Sequence, residues 1–150
     1  MAYTTREYLQ KVIVTFDDLL DLQYAQLQAK NRFEDELTDN ELETRLSSVI
    51  GILSIAFYWD TARSVRYAIA SLLGSLTLNE KEMVVSTITN GYIGLGEAIE
   101  FMRNSNYDRI EIELPFREYR DFHTLEFEIR FIMGEGRVTR VHTGSGWIVL

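Results

Sequence analysis

The chain has no cysteine, one proline and two histidines in 150 residues. Without cysteine it can close no disulfide framework, use no thiolate and build no cysteine-ligated zinc site. Its first residues carry Arg6, Glu7 and Lys11 where a secretion signal would have its apolar core. With the missing cysteines, this leads us to expect a cytoplasmic protein. Long apolar runs are missing too. The most apolar stretch, residues 49–59, is far below the ~20 residues that cross a bilayer, and Asp60, Arg63 and Arg66 follow it. Nor is there a surplus of positive charge. Lys and Arg number 15 against 23 Asp and Glu, giving a net charge of −8. That balance argues against direct DNA binding and against an anionic membrane surface.

What is present reads as one domain of α+β class over residues 1–150, helical over 1–104 and a β-meander over 105–150. The first helix is expected to start at Thr4 or Thr5, where Thr4 and Glu7 have capping-box spacing, and to run to Phe33 with Leu9, Ile13, Phe16, Leu20 and Leu27 inward. A second capping box, Thr38 with Glu41, opens helix two, whose stripe is Leu42, Leu46, Val49 or Ile50, Leu53 and Phe57. Asp60 is expected to cap a third helix with Val65, Ile69, Leu72 and Leu73 inward, and Asn79 a fourth with Val84, Ile88, Tyr92, Leu95, Ile99 and Met102 inward. After Asn104 the apolar residues alternate. Residues 109–114, ending at Pro115, and residues 125–133, including Leu125 and Glu126, read as strands. Gly134-Glu135-Gly136 then makes a hairpin into residues 137–143, and Gly144-Ser145-Gly146 a second turn. The whole is a bundle of about four helices carrying a three- or four-stranded antiparallel sheet.

Most of the negative charge is local. Nine carboxylates, Asp17, Asp18, Asp21, Glu34, Asp35, Glu36, Asp39, Glu41 and Glu43, lie within 27 consecutive residues with only Lys30 and Arg32 among them. Those residues carry −7 of the total −8. Helix capping accounts for Asp39, Glu41 and Glu43. Asp17, Asp18 and Asp21 crowd one helical turn and repel one another unless a cation is near. One shared acidic surface is therefore expected, suited to a basic protein partner: an inhibitor, an immunity-like factor or a mimic of nucleic acid charge.

Asp18 with Asp21, and Glu36 with Asp39, also have the spacing of carboxylate pairs that hold Mg²⁺. In this the pattern resembles the all-helical nucleoside triphosphate pyrophosphohydrolases, and the resemblance implies a Mg²⁺-dependent nucleotide hydrolase. It departs from them in placing Glu36 and Asp39 in a connection and in offering no basic cluster for phosphates.

Elsewhere the chemistry is sparse. Gly91, Gly94 and Gly96 spell G-x-x-G-x-G, which is neither the dinucleotide fingerprint nor the Walker loop, and they read as close helix packing. His123 and His142 could meet on neighbouring strands but lack a third ligand. Arg117, Arg120, Arg137 and Arg140 lie among carboxylates on a strand face and read as ion pairs. No catalytic constellation emerges, so we expect a non-enzymatic protein without cofactor or dedicated metal. Trp147, Ile148, Val149 and Leu150 are apolar on both faces of a terminal strand. Such a strand is tucked into the core or paired in a homo-oligomer, which makes an assembly subunit of a viral or multiprotein complex the alternative to the acidic interaction protein.

Overall fold

The N-terminal segment is a strand, not the start of a helix. In the computed structural model, which describes residues 3–123 and 127–150, β1 spans Tyr3–Val14 and the first helix begins at Phe16. Seven of the twelve residues of β1 (YTTREYLQKVIV) are aromatic or β-branched, which favours an extended chain. The Thr4 and Glu7 capping box does not form. The box that does form is Thr15 with Asp18: the Thr15 hydroxyl accepts the Asp18 N–H at 3.1 Å, and the Asp18 carboxylate accepts the Thr15 N–H at 2.9 Å.

From that start α1 (Phe16–Phe33) buries Leu19, Leu22, Gln26, Ala29 and Phe33. The inward line is one residue off the expected one, and Leu20 is exposed. Thr38 and Glu41 cap α2 (Asp39–Leu46) as expected. Helix two then breaks. Ser47 and Ser48 hydroxyls donate back to the carbonyls of Glu43 and Arg45, Val49 leaves helical geometry, and residues 47–52 tighten to a 3₁₀ turn before α3 (Leu53–Phe57). The expected inward residues Leu42, Leu46, Val49, Leu53 and Phe57 are all buried in spite of the break. Thr61, not Asp60, caps α4 (Ala62–Ser75), and Thr77 with Glu80, not Asn79, caps α5 (Leu78–Arg103). Among the described residues no helix is long and apolar enough to cross a membrane.

The antiparallel sheet has five strands rather than three or four: β1, β2 (Arg109–Asp121), β3 (Glu128–Ile132), β4 (Arg137–Thr143) and β5 (Gly146–Val149). Leu125 and Glu126, expected in a strand, lie outside the described residues. β1 pairs with β2 along its whole length, from Tyr3 opposite Asp121 to Val14 opposite Ile110. Every helix thus lies in the connection between two neighbouring strands.

Gly134-Glu135-Gly136 is not a hairpin. β3 and β4 both pair antiparallel with β2, one after the other along the same edge, so the chain leaves and rejoins that edge without reversing. Pro115, in the middle of β2 rather than at its end, explains the gap. Its carbonyl accepts the Met133 N–H at 2.9 Å, so its own nitrogen faces the same edge and has no hydrogen to offer.

The helices and the sheet meet at the end of β3. The Gln26 side chain accepts the Ile132 N–H at 3.3 Å and donates to the Ile132 carbonyl and the Ile88 carbonyl, each at 3.0 Å. A Cβ on Gly91 would lie 1.8 Å from that same Ile132 oxygen, and one on Gly94 would lie 2.5 Å from the Gly134 carbonyl. The two glycines are thus a packing groove for the β3–β4 connection. Beside it Phe131 meets Phe33 and Phe57 edge-on, at 5.9 and 6.0 Å between ring centroids.

A second clasp is Arg130. It is buried, lies 4.0 Å from the Phe116 ring, and donates to Tyr8 Oη at 3.0 Å, Gln10 Oε1 at 2.6 Å and the carbonyls of Ser54 and Ile55 at 3.2 and 2.9 Å. It joins β1 to the end of α3 through β3.

Gly91→Ala should cost about 3 kcal/mol or more, because the added methyl meets backbone that cannot turn away. Gly74→Ala, in a helix with open space around it, should instead gain about 0.5–1 kcal/mol. Urea unfolding of the two variants checks both signs.

Candidate functional site

The nine acidic residues fall into two groups along α1 rather than one continuous cluster. Asp17, Asp18 and Asp21 stand at the N-terminal end of α1, and Glu34 to Glu43 gather around its C-terminal end and the start of α2. Along α1 the rise per residue sets Glu34 roughly 20–26 Å from Asp21 and Asp17. The second group is largely neutralised by the chain's own cations. Lys30 pairs with Glu34 at 2.7 Å, Arg32 with Asp39 at 2.7 Å, Lys81 with Asp35 at 3.2 Å and Arg66 with Glu43 at 3.3 Å. Lys81 holds the Asp35 carboxyl below the ordinary range. Glu41 is engaged in the cap of α2, and Glu36 is exposed. At the other end Asp18 is engaged in the cap of α1. Partial burial first, and then Asp18 and Asp17, push the Asp21 carboxyl up.

The same separation dissolves the Mg²⁺ arrangement. Asp18 and Asp21 lie a helix length from Glu36 and Asp39, and Asp39 is held by Arg32. Among the described residues no three His, Asp or Glu side chains converge as metal ligands would. The histidines also fail to meet. His123 follows the end of β2, whereas His142 sits on β4 opposite Arg109, where β2 begins.

The meander arginines form cross-strand ion pairs. Arg117 reaches Glu7 at 3.5 Å, Arg120 Glu128 at 2.6 Å, Arg137 Glu113 at 3.5 Å and Arg140 Glu111 at 2.7 Å. Arg140 grips Glu111 through two nitrogens. Its guanidinium and the Thr139 hydroxyl draw the Glu111 carboxyl down to about 2.

This ion pair borders the last hairpin. Gly144 and Ser145 turn the chain from β4 into β5, with Gly146 at φ 111°, a conformation that suits glycine. Trp147 is half-buried under its own neighbours: Arg140 and Arg109 lie 4.5 and 5.6 Å from its ring centroid, and the His142 ring 5.1 Å away. Arg109 can only donate, so His142 Nε2 accepts from it at 3.2 Å and His142 Nδ1–H donates to Asp108 at 2.7 Å. Ile148, Val149 and Leu150 are not tucked in. They are 50, 76 and 64% exposed, although the Leu150 N–H still donates to Thr139. The hairpin thus presents three consecutive exposed apolar side chains beyond an ion-paired base, Val149 on the opposite face from Ile148 and Leu150.

A second exposed element was hidden by the helical reading of residues 4–14. On β1, Leu9 and Ile13 are 63 and 50% exposed. The signal for it lay in the β-branched and aromatic content of that segment.

No protein-family model, curated protein or solved structure matches this chain.

The depressed Glu111 carboxyl makes a pH prediction. Its pKa falls from 4.5 in the unfolded chain to about 2, so the stabilisation is complete above about 4.5 and is lost as pH falls toward 2. The acid-side decline of the thermal midpoint should be shallower in Arg140→Met than in the parent protein, with the two curves converging at the acid end.

Proposed function

We propose that the protein is a non-enzymatic assembly subunit, of a viral or multiprotein complex, whose copies associate through the apolar end of β5. The observation that supports this is the run Ile148-Val149-Leu150 standing exposed on a sheet edge. Contiguous exposed apolar groups on an edge strand are costly in water and prone to pairing. Pairing with β4 through Val149 opposite Arg140, and the Leu150 N–H bond to Thr139, hold these residues in extended form. The test is the double variant Val149→Lys/Leu150→Asp. Both side chains are exposed, so the thermal midpoint should hold within a few degrees while light scattering after size exclusion shows a smaller assembly. An unchanged mass, or a parent protein that runs as a monomer, rejects the reading.

A second reading, an acidic protein that docks a basic partner, is favoured at one place only. Asp17 and Asp21 have no ion-pair partner among the described residues and crowd Asp18. Asp17→Lys/Asp21→Lys leaves the Thr15 and Asp18 cap in place. It should abolish salt-sensitive binding of a lysine-rich peptide, measured by titration calorimetry. Equal binding by parent and variant removes this reading.

A further inference from the structure

We propose that β1 is a second interface, on which another copy of this chain adds its own β1 antiparallel about a two-fold axis at Leu9. The inference rests on the assembly reading and deepens it by naming the partner and the register.

β1 is a twelve-residue strand at the edge of the sheet, and β2 is its only strand partner among the described residues. The direction of its backbone groups follows from two hydrogen bonds on the far side of β2. Met133 N–H donates to the Pro115 carbonyl, and Asp121 N–H donates to Phe127. Odd-numbered residues of β2 therefore bond toward β3, and even-numbered ones toward β1. With Leu9 opposite Pro115 and Gln10 opposite Leu114, the even-numbered residues of β1 are bonded to β2. The N–H and C=O groups of Thr5, Glu7, Leu9, Lys11 and Ile13 all point outward from the free edge. An unpaired row of this kind is a template for another strand.

The side chains select which strand. Antiparallel self-pairing with Leu9 opposite Leu9 sets Glu7 against Lys11 twice, by symmetry, and Thr5 against Ile13. Each of these is a pair that exchanges both backbone hydrogen bonds. Sliding one copy by two residues, the smallest step that keeps outward-facing groups opposite one another, sets Glu7 and Lys11 against Leu9, Thr5 or Ile13 and loses both ion pairs. In the favoured register the charges also continue those already in the sheet. Arg117 flanks Glu7 at 3.5 Å, and Glu113 is the β2 neighbour of Lys11 and bonds Arg137. One row across the joined sheets then reads Arg117, Glu7, partner Lys11, partner Glu113 and partner Arg137, alternating in sign throughout. The exposed Leu9 side chains meet at the axis. Arg130 anchors the side chains of Tyr8 and Gln10, on either side of Leu9 in sequence. The contact is isologous and closes on itself.

The experiment uses the full chain carrying Val149→Lys/Leu150→Asp, so that β1 is the remaining proposed contact. A dimer by light scattering is expected. Glu7→Lys alone and Lys11→Glu alone should each give monomers, since each sets like charges together twice. An equimolar mixture of the two should restore a dimer containing one of each, seen by native mass spectrometry. In a chain otherwise free of cysteine, Leu9→Cys should give a disulfide dimer on mild oxidation. Thr5→Cys, eight residues from its own copy across the axis, should not. A monomeric Val149→Lys/Leu150→Asp protein, or a dimer indifferent to Glu7→Lys, overturns the β1 interface. The reading of β5 is judged separately, by the change in mass that its own variant produces.

Discussion

The backbone of one residue holds the two layers of this protein together. Ile132 ends β3 opposite Phe116, with its N–H and C=O facing away from β2, where they would be buried without partners. The Gln26 amide supplies both, reaching from α1 as a strand would. The Ile132 oxygen can lie so deep only because position 91 of α5 has no side chain. Remove the amide and two buried backbone groups are stranded, each costing about 1–3 kcal/mol. Add a methyl at 91 and α5 must move off the sheet. Phe131, one residue earlier, lies between Phe33 and Phe57, so the aromatic centre of the core inherits its position from the same contact.

How much of this the sequence discloses depends on the range of the forces involved. The start of α2 is legible because a capping box is local: Thr38 and Glu41 satisfy each other within one turn. The buried faces of α4 and α5 are legible because their period is regular. The close approach at Gly91 and Gly94 is legible as a packing need, although not its partner. β1 is not legible by the same means. Leu9 and Ile13 fit a helical stripe continuing into α1 as well as they fit a strand face, and the strand that decides the matter is encoded at the far side of all the helices. The Gly134-Glu135-Gly136 turn misleads for a related reason. Two glycines permit a reversal, but a proline on another strand converts the site into a detour.

The acidic residues show the limit of counting charge along a chain. Nine carboxylates with two cations nearby look like an unanswered field. In three dimensions Lys81 and Arg66 arrive from α5 and α4, Arg32 turns toward Asp39, and Asp18 and Glu41 are engaged by helix ends. What stays unpaired is smaller and divided between two ends of a helix. The apolar chain end behaves in the opposite way. It reads as something to be covered, and the fold leaves it uncovered.

The pairing of β1 with β2 has a consequence for biosynthesis. β1 is translated before all the helices described and its partner β2 after them, so its inner edge waits for the whole helical segment. Contacts this distant along the chain form slowly. Until β2 arrives, the partly apolar β1 segment has no partner for either edge. Mixed-charge positions such as Arg6, Glu7 and Lys11, placed along its length, are the residues that keep such a strand soluble while it waits.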